Sequence, residues 1–230
     1  YWVNRHSEIV PENACYVILV NCNNVTVQNL NFTSNKEGII LLGTKNSTVF
    51  RNWLSENSIG LGIFHSDNNT VSENIIKNND AGIRIGDSKY NTITFNNITN
   101  NTWGIDFKGS QTNNTIYCNN FVENGVSGTT LQVSINKLYG AGLGNFWDNG
   151  TIGNYWSDYK TIHPDVKQIN GTKVGNIQFY INENNQDNYP LMEPIVIPEF
   201  SAGILLLLAV TIIALTTKSK LHKNAKPQTC

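Results

Sequence analysis

GIILLGTKNSTVFRNWLSENSI (38–59), GLGIFHSDNNTVSENIIKNNDA (60–81) and GIRIGDSKYNTITFNNITNNTW (82–103) are three consecutive lines of 22 residues that align without a gap. Each opens on a glycine, Gly38, Gly60 and Gly82, with Gly104 next on the same beat. Each glycine starts a glycine, apolar, any, apolar run, as in Leu61 and Ile63 or Ile83 and Ile85. A second pattern keeps time with the first: Thr48-Val49, Thr70-Val71, Thr92-Ile93 and, one residue late, Thr115-Ile116. Four residues past each Thr stands an Asn (Asn52, Asn74, Asn96, Asn119), followed by an inward apolar residue (Leu54, Ile76, Ile98, Phe121).

A unit this small, with two short alternating stretches and Asn- and Gly-rich corners, cannot bury a core alone and has to stack on copies of itself. Leucine-rich repeats share the length but require a Leu-rich consensus, and helical repeats require apolar residues at a 3.6 spacing over ten or more positions. Neither pattern is present. Period-2 stretches such as Thr92–Phe95 instead fit coils of parallel β-sheet stacked about 4.8 Å apart. At that spacing, Asn52, Asn74, Asn96 and Asn119 form a side-chain ladder up one corner.

Charged residues make up 14% of the chain and the net charge is −1, so Asn, Ser and Thr carry the solubility and no basic stripe for nucleic acid is visible. The four cysteines make no framework: a Cys15–Cys22 disulfide and buried free thiols both satisfy the spacing. Ser201–Thr217 is uncharged and strongly apolar, and Lys218, Lys220, Lys223 and Lys226 follow it. This predicts a membrane-spanning helix over 201–217 and a basic cytoplasmic tail over 218–230. The residues before it are then extracytoplasmic, and the opening Tyr1-Trp2 implies a leader removed or lying upstream. Nine Asn-x-Ser/Thr triplets become meaningful in that compartment; Asn149 and Asn170, outside the regular coils, are the glycosylation candidates.

The run NCNNVTVQNLNFTSNKEGIILLGTKNSTVFRNWLSENSIGLGI resembles the NosD family of β-helix proteins, and GNYWSDY (153–159) and NQDNYPLM (185–192) resemble that family's closing segment. The resemblance implies a right-handed parallel β-helix. The coils would occupy 1–136, a closing region 137–192 and a linker 193–200. Within the linker, Pro198-Glu199-Phe200 before an apolar helix and basic residues is similar to the PEF-type sorting signals of archaeal surface proteins. That likeness implies cutting near the motif by a sorting protease and transfer to a surface lipid. NosD-like chains carry an Asp/Gly-rich, calcium-type loop between the two closing motifs; here that interval holds Asp165 as its only Asp, which argues against calcium. The aromatic segment Gly144–Tyr159 is read as a plug for the open end of the helix.

The family name suggests copper, but His6, His65, His163, His222, four scattered Cys and the single Met192 form no HxH, CxxC or Met cluster. The cofactor expectation is therefore none. Catalysis on a β-helix calls for carboxylates clustered on one face. In the 22-residue register, Lys45, Asp67 and Lys89 share a column, Arg51 meets Glu73, Arg84 meets Asp106, and no column holds two carboxylates. The residual catalytic candidates are His65 with Asp87, and the ligand-binding candidates are the aromatics Trp53 and Trp103. Together these readings give an all-β, right-handed parallel β-helix of about five coils with an aromatic C-terminal cap and one C-terminal transmembrane helix. It is read as a surface module that binds glycans or envelope components, ahead of a polysaccharide-modifying enzyme and a copper-handling accessory protein.

Overall fold

The computed structural model describes residues 1–110, 112–125, 132–135 and 144–197. After β1 (Trp2–Val3), the chain winds through five complete coils of three strands each. These are β2 (Val17–Val20), β3 (Thr26–Gln28) and β4 (Asn31–Thr33); β5 (Glu37–Leu42), β6 (Thr48–Phe50) and β7 (Trp53–Ser55); β8 (Ile59–Phe64), β9 (Thr70–Ser72) and β10 (Ile75–Lys77); β11 (Ala81–Gly86), β12 (Thr92–Thr94) and β13 (Asn97–Thr99); and β14 (Trp103–Lys108), β15 (Thr115–Tyr117) and β16 (Asn120–Val122). Equivalent strands pair in parallel at the repeat distance, for example Val71↔Ile93, Ile76↔Ile98 and Ile83↔Ile105. Three parallel sheets result, in the orders β1-β2-β5-β8-β11-β14-β17, β3-β6-β9-β12-β15 and β4-β7-β10-β13-β16-β18, where β17 is Val133–Ile135 and β18 is Tyr155–Trp156.

Alternation turns two apolar side chains inward from each of the five coil strands of the first sheet (β2, β5, β8, β11 and β14), as in Ile83 and Ile85, and one from each equivalent strand of the other two, as in Ile93 and Ile98. The coil holding Leu61, Ile63, Val71 and Ile76 buries all four completely, worth about 1.5–3 kcal/mol each. The glycine column has a steric cause. A Cβ on Gly60 or Gly82 would lie 2.7 Å from the carbonyl oxygen of Gly82 or Gly104 in the next coil, so any larger residue would force the coils apart.

The corners are built from two kinds of residue. One kind adopts left-handed backbone and stacks in columns, such as Asn21, Gly43, His65, Asp87 and Gly109, or Asn24, Asn46, Asn68, Tyr90 and Asn113. Asn is well suited to that conformation. The other kind points inward and forms ladders. Asn74 donates from its backbone N and its Nδ2 to Asn96 Oδ1 (3.0 and 2.9 Å), and its Nδ2 also donates to Val49 O (2.9 Å). Asn52, Asn74, Asn96 and Asn119 repeat this geometry, as expected. The structure adds two Asn ladders, Asn57-Asn79-Asn101-Asn124 and Asn69-Asn91-Asn114-Asn145, and a hydroxyl ladder, Thr44-Ser66-Ser88.

The pairing continues past residue 136. Thr115 bridges Phe146, and β18 adds the last strand to the β4-containing sheet. The GNYWSDY motif thus begins as solenoid: Asn154 Oδ1 accepts from Asn119 N and Nδ2 (3.1 and 3.0 Å) and is the last rung of its ladder. Beyond it come the short helix α1 (Tyr159–Ile162) and the antiparallel hairpin of β19 (Phe179–Asn182) and β20 (Asn185–Asp187). Phe121, Trp156 and Phe179 stack face to face with centroids 4.4 and 4.3 Å apart, and Trp147 packs against Phe107, Phe121 and Trp156. The Tyr159 hydroxyl donates to Ile177 O.

Asp187, with no exposed surface, joins the two closing motifs. Its Oδ2 accepts from Asn154 N (2.7 Å) and Trp156 Nε1 (2.9 Å), and its Oδ1 accepts from Tyr189 N (3.0 Å). Gly153 is required beside it, because a Cβ there would overlap the carboxylate. The chain then returns to the solenoid. Leu191 N donates to Asn154 O (2.8 Å), and the Asn120 side chain holds Ile195 by both backbone groups (2.8 Å each).

Candidate functional site

The two aromatic candidates lie on different sheets and do not form one site. Trp53, on β7, donates from Nε1 to Ser55 Oγ (3.1 Å), and Lys77 Nζ sits 4.3 Å from its ring centroid. That cation covers one ring face. Trp103, on β14, opens instead onto a groove of about 420 Å³ between the last strand of the first sheet and the closing hairpin. Ser134 and Ile135 of β17 line it together with Tyr180, Asn182 and Glu183 of the hairpin. Tyr180 is 64% exposed. The groove therefore combines two aromatic surfaces with hydroxyl, amide and carboxylate groups.

His65 and Asp87 are exposed corner residues with left-handed backbone (φ 47° each), directly after β8 and β11. Asp87 Oδ1 is committed to Ser110 N (2.9 Å). Asp67, two residues on from His65 and past that corner, accepts from Lys89 N (3.0 Å). The remaining charge columns pair acid with base, Arg51 Nε with Glu73 (2.8 Å) and Arg84 Nε with Asp106 (2.9 Å), and Lys108 Nζ reaches Asp106 along the same strand (3.1 Å).

Copper needs a convergent set of soft or imidazole ligands. Among the described residues, no group of three or more His, Cys, Asp or Glu converges. Cys15 is exposed, and Cys22 and Cys118 are buried; all three are free thiols, so no Cys15–Cys22 disulfide forms. Burial, and then the nearby Asp187 charge, push the Cys118 thiol up to about 11, away from the thiolate that binds metals. His163 packs edge-on against Tyr159, and Met192 is partly buried against the core. The described residues do not fit a copper site; His222 and Cys230 lie outside them.

Asn149 and Asn170 are both exposed, and their surroundings differ. Asn149 Oδ1 accepts from Thr151 Oγ1 (2.9 Å), Thr151 N (3.1 Å) and Ile152 N (3.0 Å). Beside Asn170, the Thr172 hydroxyl donates to Ile169 O (2.8 Å) instead.

Residues 4–161 match the family model described as periplasmic copper-binding protein (NosD). The chain belongs to the NosD family. No curated protein and no solved structure matches it. The NosD assignment agrees with the parallel β-solenoid and with an extracytoplasmic location. The copper in the NosD description has no counterpart in the side-chain geometry above. Pro198, Glu199, Phe200 and the apolar stretch 201–217 lie outside the described residues, and among the described residues no helix is long and apolar enough to cross a membrane.

Sequence reasoning named Trp103 but missed Tyr180, Asn182 and Glu183. They come from the hairpin, after the 22-residue beat has ended, and no periodic signal marks them.

Proposed function

We propose that this NosD-family protein is a non-catalytic, extracytoplasmic recognition module that binds a glycan in the groove beside Trp103. The observation that carries this reading is that Trp103 and Tyr180 both line one open groove of about 420 Å³. That volume is in the range of small-ligand sites. Aromatic faces take the apolar face of a sugar ring, while Ser134, Asn182 and Glu183 offer polar partners for its hydroxyls. The pairing of acids with bases elsewhere on the coils leaves no two-carboxylate arrangement for glycoside cleavage among the columns described. In the same reading the closing segment caps the solenoid, and Ser201–Thr217 tethers it to the membrane, with Pro198-Glu199-Phe200 as a sorting motif.

The test is a glycan array probed with the purified chain, its Trp103→Ala and Tyr180→Ala variants, and Trp53→Ala. Binding lost in the first two variants and kept in the third is the expected result, since Lys77 already occupies a Trp53 face. Cleaved or epimerised glycan, lost in His65→Ala or Asp87→Ala, would replace this reading with the enzymatic one. Silence on every glycan would end the glycan reading.

The NosD description supports a second reading, copper handling. The geometry predicts that the purified chain incubated with copper and desalted retains less than one equivalent by elemental analysis. A retained stoichiometric copper, lost on changing any one of His6, His65 or His163, would favour the second reading.

A further inference from the structure

We infer that Asn149 is the site at which the folded protein accepts an N-linked glycan, and that the neighbouring candidate Asn170 is not.

All nine Asn-x-Ser/Thr triplets satisfy the sequence rule, so only geometry can rank them. Asn24, Asn46, Asn68, Asn100 and Asn113 are left-handed corner residues stacked within the coils. Asn24 Nδ2 already donates to Ser7 Oγ (3.1 Å), and Asn46 Nδ2 to Asn23 Oδ1 (2.8 Å). Asn31 and Asn97 lie in β4 and β13, whose backbones are paired to the next coils. A transferase has to wrap the acceptor tripeptide, and a strand locked in a sheet cannot be wrapped.

Asn149 stands on an exposed tip, Asp148-Asn149-Gly150-Thr151. A Cβ at Gly150 would meet nothing within 4 Å, so the tip is open to an approaching enzyme. Asp148 holds the base of the tip, its Oδ1 accepting from Gly150 N (2.9 Å) and its Oδ2 from Asn188 N and Nδ2 (3.1 and 2.8 Å). The decisive feature is the Thr151 hydroxyl, which donates to Asn149 Oδ1 together with two backbone N–H groups. Three donors on the amide oxygen fix the side chain in a turn, and none of these bonds engages Nδ2. At Asn170, the equivalent hydroxyl donates to Ile169 O and accepts from Val174 N, turning away from the amide.

The reaction balances with an oligosaccharide carried on a polyprenyl pyrophosphate as donor. Asn149 Nδ2 forms a bond to the anomeric carbon and loses a proton to the transferase's base. The carbon–oxygen bond to the pyrophosphate breaks, and the pyrophosphate leaves with the electron pair.

The experiment incubates the folded full-length chain with an oligosaccharyltransferase and that donor, and reads each site by peptide-mapping mass spectrometry. The chemically unfolded chain, which offers every triplet, is run alongside as the positive standard. The expected result is a glycan on Asn149 and little on Asn170 in the folded chain. Thr151→Ala should abolish the mass shift and Thr151→Ser should keep it, with an unchanged circular-dichroism spectrum for both. Equal occupancy of Asn149 and Asn170 in the folded chain, a bare Asn149 while the unfolded standard is modified, or persistence of the shift in Thr151→Ala would each overturn the inference.

Discussion

A buried asparagine in this protein is an accepting and donating group at once, and each ladder depends on that duality. Asn74 accepts two bonds through Oδ1 from Asn52 and donates through Nδ2 to three acceptors, Val49 O, Ser72 O and Asn96 Oδ1. Asn74→Asp keeps the shape and the acceptors but turns the Nδ2 donor group into a buried anion facing Val49 O, Ser72 O and Asn96 Oδ1. The expected outcome is a loss of at least about 3 kcal/mol in denaturant unfolding, with a smaller loss for Asn74→Ser. One ladder was legible in the sequence because its Asn follows each Thr at a fixed distance. The second was not: Asn78 and Asn79 are adjacent and identical in type, yet Asn78 takes left-handed backbone at the surface while Asn79 is a buried rung. Composition cannot separate the two roles, because the side chain suits both.

At the scale of the strand and the coil, the glycine column sets how closely turns approach. Gly82→Ala would place a methyl 2.7 Å from Gly104 O, against backbone that cannot step aside. We expect a destabilisation of about 1–3 kcal/mol, read as a lower melting temperature. Gly144→Ala, where an added Cβ meets nothing within 4 Å, is the control for space, though its positive φ of 70° still carries a modest strain cost. The register was legible, since the period of 22 is also the hydrogen-bond register, but the two alternating stretches read per repeat become three strands, because the left-handed Glu73 and the ladder residue Asn74 split the second stretch into β9 and β10. The groove was only partly legible. Trp103 sits on the beat and attracted notice, whereas its partner Tyr180 reaches it through a hairpin placed by Asp187 and the aromatic stack. That placement depends on contacts across intervals of 31 to 38 residues, such as Asn154–Asp187 (33) and Trp147–Asn185 (38), which no local pattern reports.

For the molecule as a whole, the buried Asp187 makes the fold responsive to pH. Burial pushes its carboxyl up to about 7, partly offset by the donors from Asn154, Trp156 and Tyr189, with the charge of Asp148 adding to the rise. In the unfolded chain the same group titrates near about 3.9. Between these values the folded state holds a proton that the unfolded state has released. This group's contribution to stability is therefore fully present below about pH 4 and is lost as pH rises through about 7. The expected observation is a melting temperature that falls across that window in the parent. In Asp187→Asn the slope should flatten, even if the variant melts lower throughout. A parent slope of the opposite sign that vanishes in the variant would show that the carboxylate, not the acid, is the stable form.

The return of the chain to the coils has a mechanical consequence. A pull on the polypeptide beyond Ile197 reaches first the two bonds between Ile195 and Asn120, and only then the bonds from Met192 to Lys173 and from Leu191 to Asn154. Asn120 lies on β16, whose neighbours run back through every coil of its sheet. The load is thus passed sideways into the stack before it can reach Asp187 or unzip the hairpin. The Asn120 amide works as a strain relief, like the clamp on a cable where it enters its housing.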